Sequence, residues 1–161
     1  MDEQEKRKHR CAFAGHRPEK LNIDKKTVCQ LLEKEIIKAY NDGFNVFVSG
    51  GARGVDMWAA EIVLSLKESC EDMKLICAIP FPNYDSRWYY EDRAELQAIL
   101  NAADLVVTVC KGYYDGCYQV RNEWVISHSS RLIAVWDGKP SGTGNAVRYA
   151  QEQGKEIINL I

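Results

Sequence analysis

Short apolar runs of strand length alternate with longer segments of helical period along almost the whole chain, and few folds accommodate that alternation. The runs at 11–14, 46–48, 75–79, 105–109, 132–136 and 157–160 read as strands buried on both faces of a parallel sheet. Between the first two, Val28, Leu31, Leu32, Ile36, Ala39 and Tyr40 recur at helical spacing, and Gly43 supplies the stop. Val55, Trp58, Ala59, Ile62, Val63 and Leu66 repeat that spacing after the second run, and further helices are predicted over 91–102, 117–129 and 145–153. The expected fold is an α/β Rossmann-like three-layer sandwich with a mostly parallel sheet. Right-handed crossovers then predict the strand order 3-2-1-4-5 with a sixth strand at the edge. In such sheets ligands bind at the carboxyl ends of the strands, where the order reverses, here expected between strands one and four.

Two glycine-bearing turns lie at that edge. The first, residues 49–56, contains Ser49, Gly50, Gly51, Gly54 and Asp56; the second contains Ser141, Gly142, Thr143, Gly144 and Asn145. A strand that runs into a glycine turn leaves the first amides of the next helix without partners, and those amides attract an anion. The first turn is neither a dinucleotide fingerprint nor a Walker A loop, because its spacing is GGxxG and no Gly-Lys-Ser/Thr follows. In it Asp56 can tie the turn together or accept from a ribose hydroxyl; in the second, Ser141 or Thr143 can cap a helix, bind a phosphate, or do both. Gly15, His16 and Arg17 follow strand one directly, so Arg17 can pair with a phosphate and His16 can stack on or donate to a ligand. Arg121, on the helix before strand five, either reaches a phosphate across the crevice or forms a surface ion pair with Glu123. Lys111, Gly112 and Tyr113 are placed at the same edge, and the aromatic-rich segment 81–88 either covers a base or packs as a rim.

The 161 residues fit one domain over 11–161 behind a polar leader, residues 1–10, read as a solvated tail. With 21 Lys plus Arg against 23 Asp plus Glu, the net charge of -2 counts against a dedicated nucleic-acid binder. The six cysteines include Cys11, Cys77 and Cys110 in or beside apolar runs, where a free thiol packs as a small hydrophobe. No metal is expected, since CxxC pairs are absent and the three histidines are scattered. No apolar run approaches bilayer-spanning length, so a cytoplasmic protein is expected, and no cofactor is implied.

Taken in order, Gly15-His16-Arg17-Pro18, the 49–56 turn followed by Trp58-Ala59-Ala60-Glu61, Ile79-Pro80-Phe81, and 134–138 with Gly142-Thr143 resemble the YpsA-like family of the SLOG superfamily. That resemblance implies a Rossmann-like fold and a nucleotide or nucleotide-derived ligand. The first turn is similar to that of DNA-processing protein A, a single-strand DNA binder. The stretch from Arg121 to Thr143 resembles the Lonely-guy phosphoribohydrolases, which also makes a homodimer an expectation. Their catalytic Glu falls where this chain has Ala146, so the usual acid/base assistance to N-glycosidic cleavage is missing. The resulting expectation is a sensor or adaptor that binds a nucleotide-like small molecule. The alternative is an N-glycosidic hydrolase with Glu123 or Asp56 as the acid or base, and the third reading is single-stranded DNA binding.

Overall fold

The computed structural model describes all residues of the chain, 1–161. The leader is not a free tail. Residues Glu3–Arg7 form helix α1, capped by Asp2, whose carboxylate accepts from the Glu5 amide at 2.9 Å. Ser130 Oγ donates to the Arg7 carbonyl at 2.6 Å, and Arg10 pairs with Glu3 at 2.5 Å, which fastens the leader to the domain.

Strand β1 (Arg10–Gly15) is followed by a 3-10 turn at Pro18–Lys20, α2 (Lys25–Asn41), β2 (Val46–Ser49), α3 (Val55–Leu66) and β3 (Lys74–Ile79). The second half contains α4 (Tyr90–Ala102), β4 (Leu105–Thr108), α5 (Cys117–Ser127), β5 (Arg131–Val135), α6 (Gly142–Glu152) and β6 (Glu156–Asn159). All six strands are parallel, in the order β4-β3-β2-β1-β5-β6. The Rossmann-like class, the 3-2-1 run and the sixth strand at an edge are as expected. Strand four is displaced: it lies outside β3, and β5 takes the place beside β1, so the reversal falls between β1 and β5.

The reason is local packing. Leu96 and Ile99 of α4 join the same apolar cluster as α2 and α3, so the third crossover stays on that face and continues outward, as its right hand requires. Asp104 then locks the edge, accepting from the Leu75 amide at 2.8 Å and from Lys67 Nζ at 2.5 Å. Crossovers to β5 and β6 run the other way, so α5 and α6 cover the opposite face over Ala12, Ala14, Val48 and Ala134. Small residues on that face let the helices come close to the sheet. Helix α3 is buried nearly all round, from Val55 to Ala60, because α2 and α4 flank it. The cysteines are all free thiols, and Cys11, Cys77, Cys110 and Cys117 are buried; desolvation pushes Cys77 up to about 12. No helix is long and apolar enough to cross a membrane.

Candidate functional site

At the carboxyl edge, over the β1/β5 reversal, loops and helix starts enclose a cleft of about 570 Å3. Gly15, His16, Arg17, Gly50, Asp56, Arg121, Ser141, Gly142 and Thr143 all line it. Ser49, Gly51, Gly54 and Gly144 are buried behind that surface, and Asn145 is exposed outside it. Glu123 also lies outside and accepts from Gln119 Nε2 at 3.2 Å. Two residues along a helix turn it by about 200°, so Arg121 and Glu123 cannot face the same cleft. Lys111, Gly112 and Tyr113 lie off the cleft, because β4 ends at the sheet edge instead of the reversal.

The first glycine turn is braced from within and from without. The Gly51 amide donates to Ser49 Oγ at 3.2 Å, the Ala52 amide to Asp56 Oδ2 at 3.3 Å and the Val55 amide to the His16 carbonyl at 3.4 Å. Its carbonyls are held by other elements: Tyr84 Oη donates to Gly51 O at 2.7 Å, and the Arg121 guanidinium donates to Gly50 O. Asp56 therefore supplies an internal anion at the start of α3, where the helix dipole favours one. Arg121 is 4% exposed and positions the turn, so a bound phosphate is not its first partner.

Burial raises the Asp56 carboxyl from 3.8 to about 6, against the opposing effects of the Arg121 charge and the Ala52 amide. Its Oδ1 has no hydrogen-bond partner. Between about pH 4 and 6 the folded chain holds a proton that the unfolded chain has released, so stability is full below pH 4 and falls as pH rises through 6. A shift of this size corresponds to about 3 kcal/mol. Asp56→Asn keeps the acceptor for Ala52 and removes that fall, so urea midpoints from pH 4 to 8 are expected to flatten in the variant. An unchanged profile would exclude Asp56 as the titrating group.

The second turn is less committed. Ser141 Oγ accepts from the Gly144 amide at 3.0 Å and Ser141 O from the Asn145 amide at 2.9 Å, whereas the Gly142 and Thr143 amides have no partner in the chain. Those two amides open α6 at the cleft wall. Ala146, one turn further, is 1% exposed and lines the cleft with a methyl group. His16, 5% exposed, places Nε2 at 3.3 Å from Asp137 Oδ1 and accepts from the Asp137 amide at 3.4 Å, joining the β1 and β5 loops. The Lys139 amide, with the nearby His16 ring, holds the Asp137 carboxyl below its ordinary value.

Five basic side chains line the cleft, Arg17, Lys20, Arg53, Arg87 and Arg121, against the acidic Asp56 and Asp92. Arg53 is engaged by Glu19 at 2.6 Å, while Arg17, Lys20 and Arg87 are exposed and have no ion-pair partner. Facing them are Tyr84, Trp88, Tyr89 and Tyr118. Lys20, Tyr89 and Tyr118 carry no sequence signal of their own. Arg87 and Trp88 lie in the aromatic-rich segment, in which Tyr84 packs against the first turn as a rim residue and Trp88 lines the cleft.

The YpsA family model, described as the YspA SLOG family, matches residues 11–159. The chain belongs to this SLOG family. Relatives of the SLOG chain include a UPF0398 protein of Halalkalibacterium halodurans, 33% identical over 135 residues, which cover 80% of this chain and 71% of that one. A UPF0398 protein of Bacillus cereus is 29% identical over 92% of the SLOG chain and 85% of its own length. Among solved structures, DNA processing protein A from Streptococcus pneumoniae superposes with a TM-score of 0.65 at 19% identity, covering 93% of this chain. The same protein from Helicobacter pylori, described by its single-stranded DNA binding mode, gives 0.63 at 23% identity and 96% coverage. At these identities the likeness is one of fold. The SLOG chain spans 49% and 66% of those two chains, respectively.

Proposed function

We propose that the cleft binds a phosphorylated, nucleotide-type ligand and that the protein acts as a sensor or adaptor for it. The observation that carries this reading is that three unpaired cations, Arg17, Lys20 and Arg87, line the same cleft as the free Gly142 and Thr143 amides in a chain of net charge -2. Two free amides at the start of an 11-residue helix donate to one phosphate, Arg17 neutralises it, and the wall of Tyr84, Trp88 and Tyr118 offers ring faces and edges to a base. The single-stranded DNA bound by the Helicobacter pylori protein supports nucleotide chemistry on this fold. Against hydrolysis stands the Ala146 methyl group. Asp56 is the remaining acid/base candidate, and its Oδ2 is already committed to the Ala52 amide.

The test is to follow thermal stability and product release together, with a panel of nucleoside phosphates and ADP-ribose. A ligand at about 100 times its dissociation constant adds about 2.7 kcal/mol to the folded state. Arg17→Ala is expected to lose most of that gain while leaving the unliganded melting temperature unchanged, because Arg17 is exposed and unpaired. Release of free base would replace the sensor with the hydrolase. No stabilisation by any member of the panel would sink both.

A further inference from the structure

The sheet ends in two edge strands of different character. β6 carries Glu156 at one end, paired with Arg131 at 2.5 Å, and Asn159 at the other, bonded to both the amide and the carbonyl of Trp136 at 3.0 Å. β4 reads Leu105-Val106-Val107-Thr108, with no charge or proline to blunt it, and no strand lies beyond it. Leu105 is 52% exposed, and Val106, on the opposite face of the sheet, is 38% exposed.

The free backbone of this edge follows from its pairing with β3. The Val109 amide donates to the Ile79 carbonyl at 2.9 Å, and Ile79 stands beside Thr108 in the register. In a parallel ladder that pattern turns the N–H and C=O groups of residues 105, 107 and 109 toward β3. Val106 and Thr108 therefore present theirs to the outside. Two outward residues on either side of Val107 fit a two-fold axis. Antiparallel pairing about Val107 sets Val106 opposite Thr108 of the second copy, and every outward N–H and C=O of both strands then finds a partner.

The side chains agree with the same axis. Leu105 comes to lie opposite Val109 of the second copy, and Lys111 opposite Ala103 of the second copy, so no like charges meet. Tyr113 and Tyr114, 69% and 49% exposed just beyond the end of β4, are brought beside the start of the other strand, where Leu105 is bare. A foreign strand would bring its own apolar groups and would not require them at both ends of β4.

We propose that β4 is a self-pairing edge, through which two copies of the chain join antiparallel into one continuous sheet with Val107 on the two-fold axis. The stretch behind the homodimer expectation, Arg121 to Thr143, contains no part of β4, so the edge itself assigns this surface. No β4 residue lines the cleft, and the pairing stands apart from the ligand reading.

The experiment is sedimentation equilibrium of the full chain over a range of concentrations, joined to cross-linking. The average mass is expected to rise from 18.3 kDa toward twice that value. Thr108→Pro removes an outward N–H that β3 does not use, and is expected to hold the protein monomeric with its circular dichroism unchanged. Thr108→Lys, which places a charge on the edge without touching the ladder, is expected to act in the same way. Opposed residues of a non-hydrogen-bonded antiparallel pair lie within disulfide reach, so Val107→Cys is expected to form a covalent dimer with glutathione disulfide as the oxidant, whereas the unsubstituted chain is not. A wild-type chain that stays monomeric at every concentration would overturn the proposal. So would a dimer that persists in both Thr108 variants, since it would use another surface. Absence of the Val107→Cys cross-link in a chain that dimerises would overturn the two-fold at Val107.

Discussion

Gly54→Ala will destabilise the folded chain by about 4 kcal/mol, enough to consume much of the stability of an ordinary domain. Two independent costs meet at this position. Gly54 has φ +90°, a conformation that L side chains rarely adopt. A Cβ built there would also lie 2.5 Å from the His16 carbonyl oxygen, 2.9 Å from Pro18 Cδ and 3.0 Å from Arg17 Cα. None of these is the end of a flexible side chain, so relief requires moving the β1 exit loop away from α3. Gly116 serves as the control: its φ is +92° at the start of α5, but nothing lies within 4 Å of a Cβ there. Gly116→Ala carries the backbone strain alone, about 1 kcal/mol. Urea denaturation of the two variants separates the terms, and equal losses would show that the close approach of Gly54 to His16 does not constrain the fold.

Arg121→Ala is expected to cost about 3–5 kcal/mol at pH 7, because it breaks two things at once. The Gly50 carbonyl loses its donor, and Asp56 loses the nearby charge that makes its ionised form tolerable. With Arg121 absent, the Asp56 carboxyl rises above 6 and takes up a proton more readily. The loss should therefore be smaller at pH 5 than at pH 7, since Asp56 is then neutral and needs no counter-charge. Denaturant midpoints at the two pH values test this directly. A double variant with Asp56→Asn should recover part of the pH 7 loss, and strict additivity would mean that the two groups do not interact. Because Arg121 braces the turn, ligand assays on this variant report on architecture, whereas Arg17→Ala reports on the cleft surface.

These variants also mark how far the sequence could be read. The strand segments, the helical stripes and the two glycine turns were legible because each depends on local chemistry: apolar runs, periodicity, and glycines at strand-to-helix junctions. Gly15, His16 and Arg17 could be placed at the reversal because they follow the first strand of the winding, wherever that winding turns back. Lys111 to Tyr113 could not. Their position depends on whether the crossover after β3 continues outward or returns. That was decided by Leu96 and Ile99 packing beside α3, and by Asp104 gripping Leu75 and Lys67.

The role of Arg121 shows the same limit within the site. Its place on the helix before strand five left it between a phosphate and a surface ion pair with Glu123, and neither reading pointed to the Gly50 carbonyl, 71 residues away, that it holds. Tyr84 reaches Gly51 across 33 residues in the same way. Contacts of that kind leave no periodic trace, since they join loops whose separation in sequence is set by the crossovers between them.

By itself, the sequence determined the class of fold, the two turns at its carboxyl edge, and the family. These are properties of residue type and local order. Only the tertiary structure decided which turn keeps free amides, which cations remain unpaired, and which strand is left at an open edge. The physical reason is that burial and pairing are relations between distant segments. A guanidinium or an amide is available to a ligand only if the fold has not already given it a partner.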